Sequence, residues 1–254
     1  MSQLSREAFI NEIEPIHRAG NVPNDEVLAQ VSRVSILIIN GITGAGKGHV
    51  QRKLITPTPG RLTVPRVTSD TTRDPQFRDE KQEEHGVEYW FRGGELKAVV
   101  ADVKDGEYVQ FDIVEANEKN LYGSRASSYP DAGPAVIDVV PSSLEAMRAL
   151  PFEAIHNVAL VPRNMEVWLP RLDGRGVLSP EERAGRFVES QSNLETTLAD
   201  ERITFVINDQ IDRTVADVLQ VIEGTYSLER QEEAREVGRI MLAGIAERNA
   251  ESFV

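Results

Sequence analysis

The chain has 254 residues, 40% of them hydrophobic and 27% charged, enough for one large domain with appendages and a sizeable core. It contains no cysteine, which excludes disulfides, thiolate metal sites and a cysteine nucleophile and fits a cytoplasmic protein. Its 41 carboxylates outnumber 28 lysines and arginines, so nucleic acid and anionic lipid are repelled at long range, and an anionic substrate must be held by basic residues gathered locally.

The opening segment MSQLSREAFINEIEP carries acidic residues and no apolar core region, so it does not read as a secretory signal, and no apolar run reaches the length of a membrane span. Residues 1–33 read as two short helices broken at Gly20-Asn21-Val22-Pro23. Val34–Asn40 (VSILIIN) is a short β-branched run ending at a glycine, the pattern of a buried parallel strand. A helix is expected from Lys47 to Leu54, then a loop at Pro57, Pro59 and Gly60, then a strand over Leu62–Thr68. The polar stretch from Asp70 to Glu84 is expected to be exposed. Ala135–Val140 reads as a further strand, followed by a helix started by Ser142 or Ser143 with Glu145. Strands at Val158–Val161 and Ile203–Ile207 and helices over Asp212–Glu223 and Leu228–Glu247 complete the reading. The last helix is expected to place Val237, Ile240, Met241 and Ile245 on one face. Apolar strands alternating with helices predict an α/β fold with a central parallel sheet flanked by helices.

One motif carries chemistry on its own. Gly41-Ile42-Thr43-Gly44-Ala45-Gly46-Lys47-Gly48 matches G-x-x-x-x-G-K between a strand and a helix. Backbone N–H groups and a helix N-terminus converge there on one spot suited to phosphate oxygens, and Lys47 adds a point charge for the β- and γ-phosphates. The usual Ser/Thr ligand for Mg²⁺ is replaced by Gly48, and His49 follows. Magnesium is therefore expected to be held by the nucleotide phosphates, by water and by Asp138, with no cluster of protein metal ligands.

Further along stand Ser69-Asp70-Thr71-Thr72-Arg73-Asp74-Pro75, Gly86-Val87-Glu88-Tyr89-Trp90-Phe91, Tyr122-Gly123-Ser124, Arg171-Leu172-Asp173-Gly174-Arg175 with Arg186, and Val206-Ile207-Asn208-Asp209. Taken singly, an arginine is most often solvated and a tyrosine most often packing. Together with the phosphate loop, and in this order over residues 34–223, they resemble the guanylate kinases.

That resemblance implies a P-loop fold with a nucleoside-monophosphate-binding region at about 69–124 and a lid at about 171–190. A kinase domain over 34–225 would lie between helical extensions at 1–33 and 226–254. It implies ATP and Mg²⁺ as cofactors, small nucleotides as partners, no nucleic acid or membrane, and a monomer or homodimer. Gly41, Thr43, Gly44, Ala45, Gly46, Lys47, Gly48, His49 and Asn208 would bind ATP. Lys47, Arg171, Arg175 and Arg186 would neutralise the migrating phosphoryl group. Arg73 and Tyr89, assisted by Tyr122, would hold the acceptor phosphate, and Ser69, Ser124 and Asp138 would lie on the acceptor side.

Three positions depart from the family. Gln76 stands where a second phosphate-binding arginine is usual, and Arg78, in a longer connection to Tyr89, is its candidate replacement. Gln110 stands at the guanine-reading glutamate, where an amide offers one acceptor in place of two; Asp112 or Glu115 could supply the carboxylate. Val140 takes the place of a second aspartate. Two other readings stay open: a non-catalytic guanylate-kinase-like module that binds phosphopeptides, and a P-loop kinase acting on a ribose phosphate.

Overall fold

We describe a computed structural model covering residues 4–78, 81–115, 118–139, 141–174 and 179–251. The chain opens with helices α1 (Arg6–Ala19) and α2 (Asp25–Val31), capped by Ser5 and Asn24, whose side chains accept from the N–H groups of Ala8 and Val27. Strand β1 (Val34–Asn40) follows and leads through the glycine loop into α3 (Lys47–Ile55). Next come four two-residue strands: β2 (Asp70–Thr71), β3 (Phe77–Arg78), β4 (Lys81–Gln82) and β5 (Trp90–Phe91). Helix α4 (Leu96–Lys104) precedes the long hairpin of β6 (Tyr108–Glu115) and β7 (Lys119–Arg125). The remainder is β8 (Gly133–Asp138), α5 (Leu144–Arg148), β9 (Ala154–Pro162), α6 (Met165–Asp173), α7 (Pro180–Ala199), β10 (Thr204–Asn208), α8 (Ile211–Ile222) and α9 (Leu228–Glu251).

The central sheet has the order β10-β9-β1-β8, with β9 and β10 parallel, and helices flank it in an α/β architecture. A second sheet runs β5-β2-β7-β6; β2 is parallel to β5 and antiparallel to β7, which pairs antiparallel with β6. The chain divides into two compact units. One comprises Met1–Ile36, Arg66–Ile137 and Ser142–Ile155; the other comprises Leu37–Pro65, Asp138–Pro141 and His156–Val254.

In the first unit, Phe9, Ile10 and Ile13 of α1 are buried in one cluster with Leu96, Val99, Val100 and Val103 of α4 and Tyr108, Phe111 and Leu121 of the hairpin. The N-terminal helix is therefore part of the core beneath β6 and β7. Truncating one large member of such a cluster costs about 2–5 kcal/mol. Arg6 adds polar ties, donating to Asn120 Oδ1 at 2.6 Å and to the Thr72 carbonyl at 3.1 Å.

In the second unit α9 packs along α7 and β10. Gly238 of α9 sits against the Phe205 ring and Leu198, close enough that a Cβ would lie 3.1 Å from the ring. Arg235 donates to the carbonyls of Leu198, Asp200 and Ile203 and stacks over Phe205.

Three expectations are corrected. Leu62–Thr68 forms no strand; it contributes only an isolated bridge from Arg66 to Val136. The stretch from Asp70 to Glu84 is not uniformly exposed, because Asp70, Thr71, Thr72, Arg73 and Glu83 are buried while Phe77 stands in solvent. The charges inside are balanced: Asp70 is met by Arg92 at 3.2 Å, by Arg125 at 2.7 Å and by the Tyr108 hydroxyl at 2.8 Å. On α9, Met241 and Ile245 are buried with Ala234, but Ile240 faces solvent, since it lies one residue off the inward stripe.

Candidate active site

β1 delivers the chain to Gly41, and the turn that follows depends on backbone conformations reserved for glycine. Gly41 has φ 139° and Gly46, which caps α3, has φ 90°. A Cβ on Gly41 would come within 2.5 Å of the Leu160 carbonyl oxygen, and one on Gly46 would collide with Asn208 Nδ2. The loop is braced from outside. Trp168 Nε1 donates to the Thr43 carbonyl at 2.7 Å, and Asn208 Nδ2 donates to the Ala45 carbonyl at 2.7 Å.

Asn208 is held in turn by the Thr214 hydroxyl at 3.1 Å, and its own carbonyl accepts from Arg171 Nη1 at 3.2 Å. Trp168 is fully buried and meets Phe187 of α7 edge-on, 5.3 Å between centroids. Lys47 Nζ donates back to the Gly41 carbonyl at 2.6 Å and to that of Ile42 at 3.4 Å. A braced glycine cradle, a helix N-terminus and a positioned ammonium are the elements of an anion site. Gly48 and His49 are exposed on the first turn of α3, and a Cβ at Gly48 would meet nothing within 4 Å.

Of the residues expected on the acceptor side, all but Asp138 lie in the first unit. Arg73 is buried. It donates from Nη1 and Nη2 to the two Glu83 oxygens at 2.5 and 3.0 Å, from Nε to the Tyr122 hydroxyl at 3.0 Å and from Nη1 to the Asp74 carbonyl at 2.9 Å. Its guanidinium stacks over Tyr89 at 5.0 Å and Phe91 at 5.3 Å. Burial alone would disfavour the cation, but the Glu83 and Tyr122 oxygens outweigh it and raise its pKa. Glu83 also accepts from the Gln76 backbone N–H at 2.9 Å. Tyr122 and Tyr89 meet edge-on at 5.8 Å. The hairpin register pairs Gln110 with Ser124 and Asp112 with Tyr122, so these four share one face of the second sheet.

Ser69 and Ser124 are buried, and the Ser124 hydroxyl is bonded to that of Tyr129 at 2.8 Å. Asp138 ends β8 in the second unit, half-buried. Arg186 is on α7, 3.7 Å from Glu189. Arg78 pairs with Lys81 in the small β3–β4 hairpin. Arg175 and Val140 lie outside the described residues.

Sequence reasoning did not find Glu83, Trp168 or the Asp70–Arg92–Arg125 network. Each works through a partner distant in the chain, and none stands in a local pattern. A buried acidic residue beside Arg73 had one available signal, the run Glu83-Glu84 just before Gly86.

A strand–glycine loop–helix cradle with a lysine, on an α/β sheet, defines a P-loop phosphate-binding protein. The guanylate kinase family matches residues 33–225, and the chain belongs to that family. It is similar to the guanylate kinase of Symbiobacterium thermophilum, 28% identical over 189 residues that span 74% of this chain and 83% of that protein. The guanylate kinase of Streptococcus agalactiae is 29% identical over 197 residues, spanning 75% and 87%. Guanylate kinase 1 of Oryza sativa subsp. japonica is 26% identical over 160 residues, spanning 63% of this chain and 40% of that longer protein.

Proposed function

We propose that this protein is a nucleoside monophosphate kinase that moves the γ-phosphoryl group of ATP to GMP, dGMP or a related nucleotide. The observation that carries the reading is the braced phosphate loop with Lys47 in place, which a module that only binds peptides would not need. ATP lies with its phosphates on the loop and Asn208 near its base; Lys47, Arg171, Arg175 and Arg186 offset the charge of the migrating group. Such reactions depend on positioning and charge neutralisation, so no general base is required. Mg²⁺ enters as part of the nucleotide substrate, because Gly48 supplies no hydroxyl to it.

Arg73, Tyr89 and Tyr122 hold the acceptor phosphate. The Tyr122 hydroxyl accepts from Arg73 and keeps its own hydrogen to donate, and Glu83 fixes the plane of the guanidinium. The acidic charge and the lack of cysteine support a cytoplasmic enzyme acting on free nucleotides. No helix among the described residues is long and apolar enough to cross a membrane.

An ADP-release assay over GMP, dGMP, AMP, pyrimidine monophosphates and ribose phosphates tests the reading. Turnover with a purine monophosphate is expected. Release only with ribose phosphates, or with nothing, would overturn it.

A further inference from the structure

Gln110 is 6% exposed, yet its Oε1 has no hydrogen-bond partner among the described residues. A buried amide oxygen left unpaired is costly, so it calls for a donor that arrives from outside. Its strand neighbours on the same face are Ser124, across the hairpin, and Asp112, two residues on. Tyr122 on that face is bonded to Arg73.

Asp112 is not available to a ligand. Its Oδ1 takes His17 Nε2 at 3.0 Å and the Ile113 N–H at 2.8 Å, and its Oδ2 takes the hydroxyls of Ser142 at 2.6 Å and Ser143 at 3.4 Å. Those donors fill the roughly four lone-pair positions of a carboxylate. His17 comes from α1, so the N-terminal helix takes part in occupying this carboxylate. Ser143, at the N-cap of α5, makes no cap bond and turns to Asp112 instead.

We propose that Gln110 reads the acceptor base through its amide alone, and that the enzyme therefore accepts 6-oxopurine monophosphates with or without a 2-amino group. The inference rests on the kinase reading above. An amide oxygen accepts the ring N1–H and the amide nitrogen donates to the 6-oxo oxygen, an edge that guanine and hypoxanthine share. Only a second acceptor would engage the 2-amino group, and neither Gln110 nor the saturated Asp112 offers one.

The test is kcat/KM for GMP and IMP at saturating ATP, in the wild type, Gln110→Glu and Asp112→Ala. The two substrates should differ by less than about tenfold in the wild type. Gln110→Glu, which restores a second acceptor, should move the ratio toward GMP by about tenfold or more, and Asp112→Ala should leave the ratio unchanged. A wild-type preference for GMP above about tenfold, or an unmoved ratio in Gln110→Glu, overturns the inference while the kinase reading stands. No turnover on any monophosphate defeats the kinase reading, and the inference with it.

Discussion

Replacing Gly46 by alanine puts a methyl group where the Asn208 amide now sits, on a residue whose φ is 90°. The left-handed conformation costs a non-glycine residue about 1–2 kcal/mol. The amide must also withdraw, giving up its 2.7 Å bond to the Ala45 carbonyl, a net loss of about 1 kcal/mol. The sum, about 2–3 kcal/mol, corresponds to a loss of roughly 30- to 150-fold in ATP affinity if the loop distorts, or to the same loss of stability if it does not.

Two residues on, Gly48→Ala is the control. Its Cβ enters open space in the first turn of α3, so it should be neutral or stabilising by about 0.5 kcal/mol. Urea unfolding and calorimetric ATP titration of both variants measure the contrast. Equal behaviour of the two, or wild-type stability and affinity in Gly46→Ala, would refute the account of the loop.

Arg73→Ala should lower kcat/KM for the acceptor by about 100-fold or more with ATP affinity little changed, since Arg73 lies in the first unit and the phosphate loop in the second; steady-state kinetics paired with ATP titration would show it. Phe9→Ala should cost about 3–5 kcal/mol in urea unfolding, because α1 lies inside the core of the first unit. Burial lowers the pKa of His156, on β9, below its ordinary value near 6.5. The unfolded chain then takes up that proton first, so the His156 contribution is present at neutral pH and is lost as pH falls through 6.5 and below. His156→Gln should therefore show a shallower decline in stability than the wild type between about pH 7 and 5.5.

The elements legible in the sequence are those whose signal is local. β1 is apolar at nearly every position and ends on the glycine loop, so strand, loop and helix identify one another. The β6–β7 hairpin was not read, because one of its faces carries Gln110, Asp112, Tyr122 and Ser124, which breaks the apolar run. α7 was missed for a similar reason: its buried positions Phe187, Ser190, Leu194 and Thr197 keep helical spacing, but half of them are polar.

At the site, glycine spacing announced the cradle, while its braces Trp168 and Asn208 arrive from far along the chain. Asn208 could be matched through the family; Trp168 could not. The Glu83 contact with Arg73 and the His17 contact with Asp112 are tertiary. Nothing in the spacing of either pair foretells them.

The most direct measurement follows label from γ-phosphate-labelled ATP into GDP, with GMP as acceptor, in wild type and Lys47→Ala. The account predicts labelled GDP from the wild type and a rate at least about 100-fold lower from the variant. Absence of labelled GDP after long incubation with the folded wild-type protein, or an unimpaired Lys47→Ala, would contradict it.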